Sequence, residues 1–184
     1  MTGKIHPSFR NWTNLKVLDM SENHFSGTIP LWLGNFGASL EILNLRGNNF
    51  HGRLSQMFTN GSMHNLKKLD LSHNQLKGKV PQFLINCNKL QVLNLGHNQL
   101  SDTFPFWLQS MPELQVLVLR QNKLYGPIWH PRKFWGFQSL QIMDLSFNNF
   151  SGSLPSEYFT NWVGMIQARY GNKEQLRYME DRYC

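Results

Sequence analysis

The sequence predicts an α/β-type repeat solenoid, with a parallel β-sheet on its concave face and short 3-10 or helical turns on its convex face. Three observations predict it. An asparagine recurs at positions 23, 48, 74, 98, 122 and 148, at intervals of 25, 26, 24, 24 and 26 residues. Each copy follows leucine-like residues three, five and eight positions earlier, in the frame L-x-x-L-x-L-x-x-N. Three are then followed by a second regular half of the form G-x-apolar-P, Gly27-Thr28-Ile29-Pro30, Gly78-Lys79-Val80-Pro81 and Gly152-Ser153-Leu154-Pro155, while the others depart from it: Leu54-Ser55 lacks the proline, Asp102 replaces the glycine, and Gly126-Pro127-Ile128 displaces the proline. Fixed periods of this length mark stacked supersecondary units that share one continuous core.

The frame begins at Leu15, Leu40, Leu66, Leu90, Leu114 and Leu140, so six full repeats are expected within residues 1–155. Around Leu69 and Leu71 the apolar pattern alternates with period two, which reads as a short strand with both leucines on one face. Stacking pairs these strands in parallel. Six of them at about 4.8 Å spacing give a sheet roughly 30 Å long. After the strand the chain must turn, and its backbone polar groups need partners inside the coil. An inward asparagine amide carries both donors and an acceptor, so Asn23, Asn48, Asn74, Asn98, Asn122 and Asn148 are expected to form a structural ladder. Glycine then allows the tight turn, and proline ends the hydrogen-bonded stretch before a helical turn on the outer side.

The start of the chain fits the same frame. Gly3-Lys4-Ile5 occupies the G-x-I slot of a preceding coil, so the chain reads as a fragment that starts mid-repeat, with core leucines exposed at both ends. Residues 156–184 leave the period. There Phe159, Trp162, Val163, Ile166 and Tyr170 have helical spacing, which predicts a helical tail. Between the fifth and sixth repeats, Trp129 to Phe137 is an insert rich in aromatic and basic residues, read as outer packing with no nucleic-acid role.

No catalytic grouping is present: no G-x-S-x-G, no H-E-x-x-H and no phosphate loop. The chain therefore reads as a non-enzyme without cofactor, metal or nucleic-acid partner. Its net charge of +7 lies in the repeats, as residues 156–184 hold four basic and four acidic side chains. No run of 18 apolar residues exists to span a membrane. Cys87 reads as a small buried apolar residue, while Cys184 and the redox compartment stay open. Three N-x-S/T sequons, at Asn11, Asn60 and Asn149, are candidate glycosylation sites.

On each strand the residues flanking the two core leucines point to the concave face. The first row is Val17, Ile42, Lys68, Val92, Val116 and Ile142; the middle row is Asp19, Asn44, Asp70, Asn94, Val118 and Asp144. Arg46 and Arg120 stand in the third row, with Ser21, Ser72, Gly96 and Ser146. His73 and His97 occupy equivalent places one position further on, in adjacent coils, about 5 Å apart. An aliphatic row beside a polar row with two arginines suits a peptide or protein ligand, the arginines being able to clamp carboxylates. Val17, Asp19, Ile42, Asn44, Arg46, Lys68, Asp70, His73, Val92, Asn94, His97, Val116, Val118, Arg120 and Asp144 are therefore the candidate ligand-binding residues.

The full pattern L-x-x-L-x-L-x-x-N-x-L-x-G-x-I-P is the plant-type leucine-rich repeat. The chain resembles the ectodomains of plant receptor-like proteins and receptor-like kinases. The stretch LEILNLRGNNFHG from Leu40 to Gly52 resembles in particular the Cf and Ve disease-resistance type, as does LPSEYFTNW from Leu154 to Trp162. That resemblance implies an extracellular module of a plasma-membrane protein, sensing a peptide or pathogen-derived ligand and signalling through receptor-like kinase partners, with the membrane reached only through a segment outside this chain. It makes residues 156–184 the start of a non-repeat island. Two alternatives share the repeat: an inhibitor of polysaccharide-degrading enzymes, similar to polygalacturonase-inhibiting proteins, and the ectodomain of a peptide-hormone receptor kinase.

Overall fold

A computed structural model describes residues 1–36, 39–54, 63–128, 136–154 and 162–166. Six three-residue strands, Val17–Asp19, Ile42–Asn44, Lys68–Asp70, Val92–Asn94, Val116–Val118 and Ile142–Asp144, form one sheet. All neighbours are parallel and in strict register: Leu18, Leu43, Leu69, Leu93, Leu117 and Met143 are successive Cα partners. The register follows from the repeat itself. A one-residue slip would turn these leucines out of the core.

The outer turns follow the prolines, as 3-10 helices at Leu31–Phe36, Gln82–Asn86 and Phe106–Ser110. Leu33, Leu84 and Leu108 point inward from them and are fully buried. Between these turns and the six-stranded sheet runs one core, with Phe36, Phe50 and the leucines of each coil at its centre. Cys87 lies in its outer layer as a free thiol, whose pKa burial pushes up to about 11.

A second sheet was not expected from the sequence. Thr2–Gly3, His24–Thr28, Asn49–Arg53, Gln75–Gly78 and Gln99–Leu100 pair in parallel, next to a two-stranded ladder of Tyr125–Pro127 and Asn149–Ser151. The half-repeat read as a turn is therefore partly strand, which at His24–Thr28 and Asn49–Arg53 runs one residue beyond the glycine. Phe25, Phe50, Leu76 and Leu100 bury their side chains from this sheet. Glycines at or next to the ends of these strands are at positive φ, Gly52 at +91° and Gly78 at +87°, a region that side chains avoid.

The turn after each inner strand carries strain. Glu22, His73, His97, Gln121 and Phe147 have φ between 51° and 54°, and Gly47 takes the equivalent place at 63°. The left-handed conformation costs a non-glycine residue roughly 1 kcal/mol. Gln121 is exposed, so Gln121→Gly removes that strain with little lost packing. The expected result is a gain of a few tenths to about 1 kcal/mol, because glycine's extra freedom in the unfolded chain offsets part of the relief. Urea denaturation checks it, and a lower midpoint would contradict it.

The first end of the stack is better covered than expected. Ile5 is buried, Phe9 packs on the core and Leu18 is only 6% exposed. Thr2 and Gly3 take the expected slot, pairing with His24 and Phe25. At the other end Met143 and Leu145 are partly buried and Leu154 is exposed. Of the expected helical tail, one turn at Val163–Ile166 is described, preceded by Trp162 packed edge-on against Phe137. Phe159, Tyr170, Cys184, most of the insert from Trp129, and the sequon at Asn60 lie outside the described residues. Asn11 and Asn149 are exposed.

Candidate functional site

The asparagine ladder fixes the surface above it. The Nδ2 of Asn74 donates to the carbonyls of Leu45, Leu71 and Ser72 at 3.0–3.1 Å, and its Oδ1 accepts from the Phe50 amide at 3.0 Å. Asn48, Asn98, Asn122 and Asn148 repeat this pattern one coil at a time. Each amide thus ties its own turn to the preceding coil. Asn23, at the edge, reaches the carbonyls of Met20 and Ser21 and accepts from the chain's N-terminal amine.

The first row stands open on the sheet. Val17 is 51% exposed, and Ile42, Lys68, Val92, Val116 and Ile142 are partly exposed.

The middle row corrects an expectation. Asn44, Asp70, Asn94 and Val118 are all buried at 8% exposure or less, so these four present almost nothing to a ligand; Asp19 is exposed and Asp144 partly so. The cause is local chemistry. Asp70 Oδ1 accepts from the Ser72 amide at 3.0 Å and from its hydroxyl at 2.7 Å. Asp19 and Asp144 do the same with Ser21 and Ser146, and Asn44 and Asn94 accept from the amides of Arg46 and Gly96. Short polar side chains that bind the backbone two residues on build a turn. They also bond sideways, Asn44 to Asp19 and Asn94 to Asp70, and so shield one another. The repeated D-x-S in Asp19-Met20-Ser21, Asp70-Leu71-Ser72 and Asp144-Leu145-Ser146 is the signal that marks this role in the sequence.

Beside this floor runs a strip of titratable and cationic groups from four successive coils. Arg46 pairs with Glu22 at 3.0 Å. That contact uses the missing side chain of Gly47, whose Cβ position would lie 2.5 Å from the Glu22 carboxylate. Arg120 lies 3.7 Å from Asp144 and its guanidinium covers the Phe147 ring at 4.7 Å, a cation–π contact. Between the arginines, His73 and His97 stack with ring centroids 3.9 Å apart and planes 13° from parallel.

Burial lowers the pKa of His73 below the ordinary 6.5, and the charges of His97 and Arg46 lower it further, against Glu22 and Asp70. Burial likewise lowers His97, helped by Arg120 and Arg46 and opposed by Asp144. Both folded-state values therefore lie under the unfolded value of 6.5, and the unfolded chain takes up protons first. The stability that depends on these neutral rings is complete above the unfolded value and falls as pH drops through 6.5 towards the folded values. The denaturation midpoint should thus decline between about pH 7.5 and 5.5, and His73→Gln/His97→Gln should flatten that decline. An unchanged slope in the double variant would contradict it. Among the described residues no group of three or more His, Cys, Asp or Glu is placed to hold a metal ion.

Receptor-like protein 35 of Arabidopsis thaliana is 44% identical over 164 residues, 89% of this chain and 16% of that protein. Receptor-like protein 32 of the same plant is 43% identical over 183 residues, 99% of this chain and 20% of that protein. The chain thus spans only about a fifth, or less, of the length of these curated relatives. Among solved structures, the Arabidopsis receptor kinase HAESA, in complex with the peptide hormone IDA and the co-receptor SERK1, matches with a TM-score of 0.75. It is 36% identical, with 86% of this chain and 26% of that chain covered. The leucine-rich repeat profile matches residues 38–100 and 88–150, and a second matches 14–36. With the coils, the ladder and the sheet register all repeating on that same period, the chain belongs to the leucine-rich repeat family.

Proposed function

We propose that this chain is the ligand-recognition segment of a plant receptor-like protein, taking a peptide or protein on its six-stranded sheet and performing no catalysis. The observation that carries the reading is the open aliphatic row of Val17, Ile42, Val92, Val116 and Ile142 beside the Arg46–Arg120 strip. An exposed apolar row with a charged border is a partner surface, since a monomer gains nothing from leaving it wet. The relatives named receptor-like proteins, and a similar fold in complex with a peptide hormone and a co-receptor, support the same reading.

In this proposal the segment lies on the extracellular side of the plasma membrane, within a longer protein. No helix among the described residues is long and apolar enough to cross a membrane. The ligand is pathogen-derived and the signal passes to a receptor-like kinase partner. Residues 1–155 do the recognising and residues 156–184 begin a separate non-repeat segment. Asn11, Asn60 and Asn149 carry glycans.

The test uses full-length receptor on plant cells challenged with the peptide fraction of a pathogen culture. Val92→Glu/Val116→Glu on the inner sheet should weaken the response at least tenfold. Lys77→Glu/Lys79→Glu, exposed residues at the end of the second sheet, should leave it within about twofold. A full response from the first variant would overturn the proposal.

A further inference from the structure

Between Arg46 and Arg120, the geometry of the stacked His73 and His97 rings points to a ligand chemistry of their own. We propose that the stacked pair His73–His97 is a proton-gated anchor for an acidic side chain, aspartate or glutamate, of an extended peptide lying across the sheet. This rests on the recognition reading above and goes further, naming a ligand chemistry and a condition for binding.

Charges of both signs face the pair. Arg46 and Arg120 are positive, while Glu22, Asp70 and Asp144 are negative. With both rings neutral the local sum is two positive against three negative. With one ring protonated the sum is balanced, and only with both protonated is it four against three, so the strip turns positive only when both rings carry protons. Both arginines already have carboxylate neighbours, at 3.0 Å and 3.7 Å. Among the described residues neither ring is ion-paired with a carboxylate, and the Asp70 carboxylate, whose charge acts on His73, is held by Ser72 and Asn94.

The stack itself supplies the gate. Two imidazolium rings at a 3.9 Å separation repel each other, so the empty site resists double protonation. A carboxylate over the ring edges removes that repulsion and accepts hydrogen bonds from both. Binding therefore draws protons in, and affinity rises as pH falls, by up to tenfold per unit for each proton taken up.

The surroundings select a peptide over an acidic polysaccharide. Ser72 and Gly96, both buried, leave a low floor between the arginines, and the aliphatic Val92 and Val116 stand on the same strands. A polysaccharide would leave that apolar row uncovered. Arg46 and Arg120 stand three strand spacings apart, about 14 Å. An extended chain covers this in about four residues, so the anchoring carboxylate would sit near the middle of a short peptide segment.

The experiment follows the histidine Cε1–H resonances of the intact chain by NMR from pH 5 to 7.5. The probes are a blocked hexapeptide with two central glutamates, its glutamine counterpart, and a short oligogalacturonide. Expected is an upward move of both histidine midpoints with the glutamate peptide alone, and an affinity about tenfold higher at pH 5.5 than at pH 7.5. His73→Gln/His97→Gln should remove the pH dependence. Midpoints that do not move with the glutamate peptide would overturn the proposal. Equal shifts with the oligogalacturonide would overturn its choice of ligand. A glutamate peptide that docks on the strands with a flat pH profile would sink the proton gate and leave the recognition reading standing. Probes that never touch the sheet would sink both.

Discussion

Asn74→Ala should cost the chain roughly 3–5 kcal/mol, one of the two largest single-residue losses expected here. Asn74 is 8% exposed, and its amide is the partner of one backbone N–H and three carbonyls. Alanine leaves the Phe50 amide and the carbonyls of Leu45, Leu71 and Ser72 without that partner, inside a core too tight for ready hydration. The Phe50 amide is stranded, at about 1–3 kcal/mol, while the three carbonyls each lose one donor and keep another, from Asn48, Asn98 and the Gly47 amide, at about 0.5–1.5 kcal/mol per lost bond. Asn74→Asp separates the two halves of the argument. It keeps an oxygen for the Phe50 amide but sets a second oxygen against three carbonyls. The expected loss is at least as large as for alanine, because a buried carboxylate with acceptors for neighbours must be protonated or move. Asn23→Ala, at the half-buried edge of the ladder, should cost only about 1 kcal/mol. Urea midpoints of the three variants give the order, and a higher midpoint for Asn74→Asp than for Asn74→Ala would break it.

Leu93→Ala is the second. Leu93 is fully buried in the inner strand of the fourth coil, with Leu69 and Leu117 as its Cα partners. Truncating a buried leucine costs about 2–5 kcal/mol, more where the walls of the cavity cannot close in. Here both walls are coils held by backbone ladders and by Asn74, Asn98 and Asn122, so little collapse is possible and the upper half of that range is expected. Leu154→Ala, at an exposed end position, should stay within about 0.5 kcal/mol. Comparable losses at Leu93 and Leu154 would show that the core is not shared through the stack in this way.

How much of this was legible depends on how local the cause is. The strands, the ladder and the outer turns are written within one repeat, and the leucines and asparagines stand where the period puts them. The second sheet was missed because its glycine, at positive φ, reads as the centre of a turn, although the residues before it pair with the next coil. The left-handed residues Glu22, His73, His97, Gln121 and Phe147 carry no local mark, since none is glycine. Their conformation is imposed by the ladder amide that follows. The candidate surface was legible for the aliphatic row and the arginines. It failed for Asn44, Asp70, Asn94 and Val118, because their burial comes from neighbours one repeat away and from hydrogen bonds to the turn ahead. The histidine pair was placed correctly by equivalence of position, but stacking at 3.9 Å is a side-chain property that spacing alone cannot give.

Successive coils are bound to one another by the asparagine amides and the inner strand ladder, which together hold the six-stranded sheet in register. Hydrogen exchange resolved amide by amide tests it most directly. The amides of Leu45, Leu71, Leu95 and Leu119 donate to the carbonyls of the next coil, and those of Phe50, Leu76 and Leu100 donate to ladder asparagines. These seven should be the slowest class, and Asn74→Ala should release Phe50 and its neighbouring coils first. Rapid exchange at these positions, with protection concentrated in the outer turns instead, would contradict it.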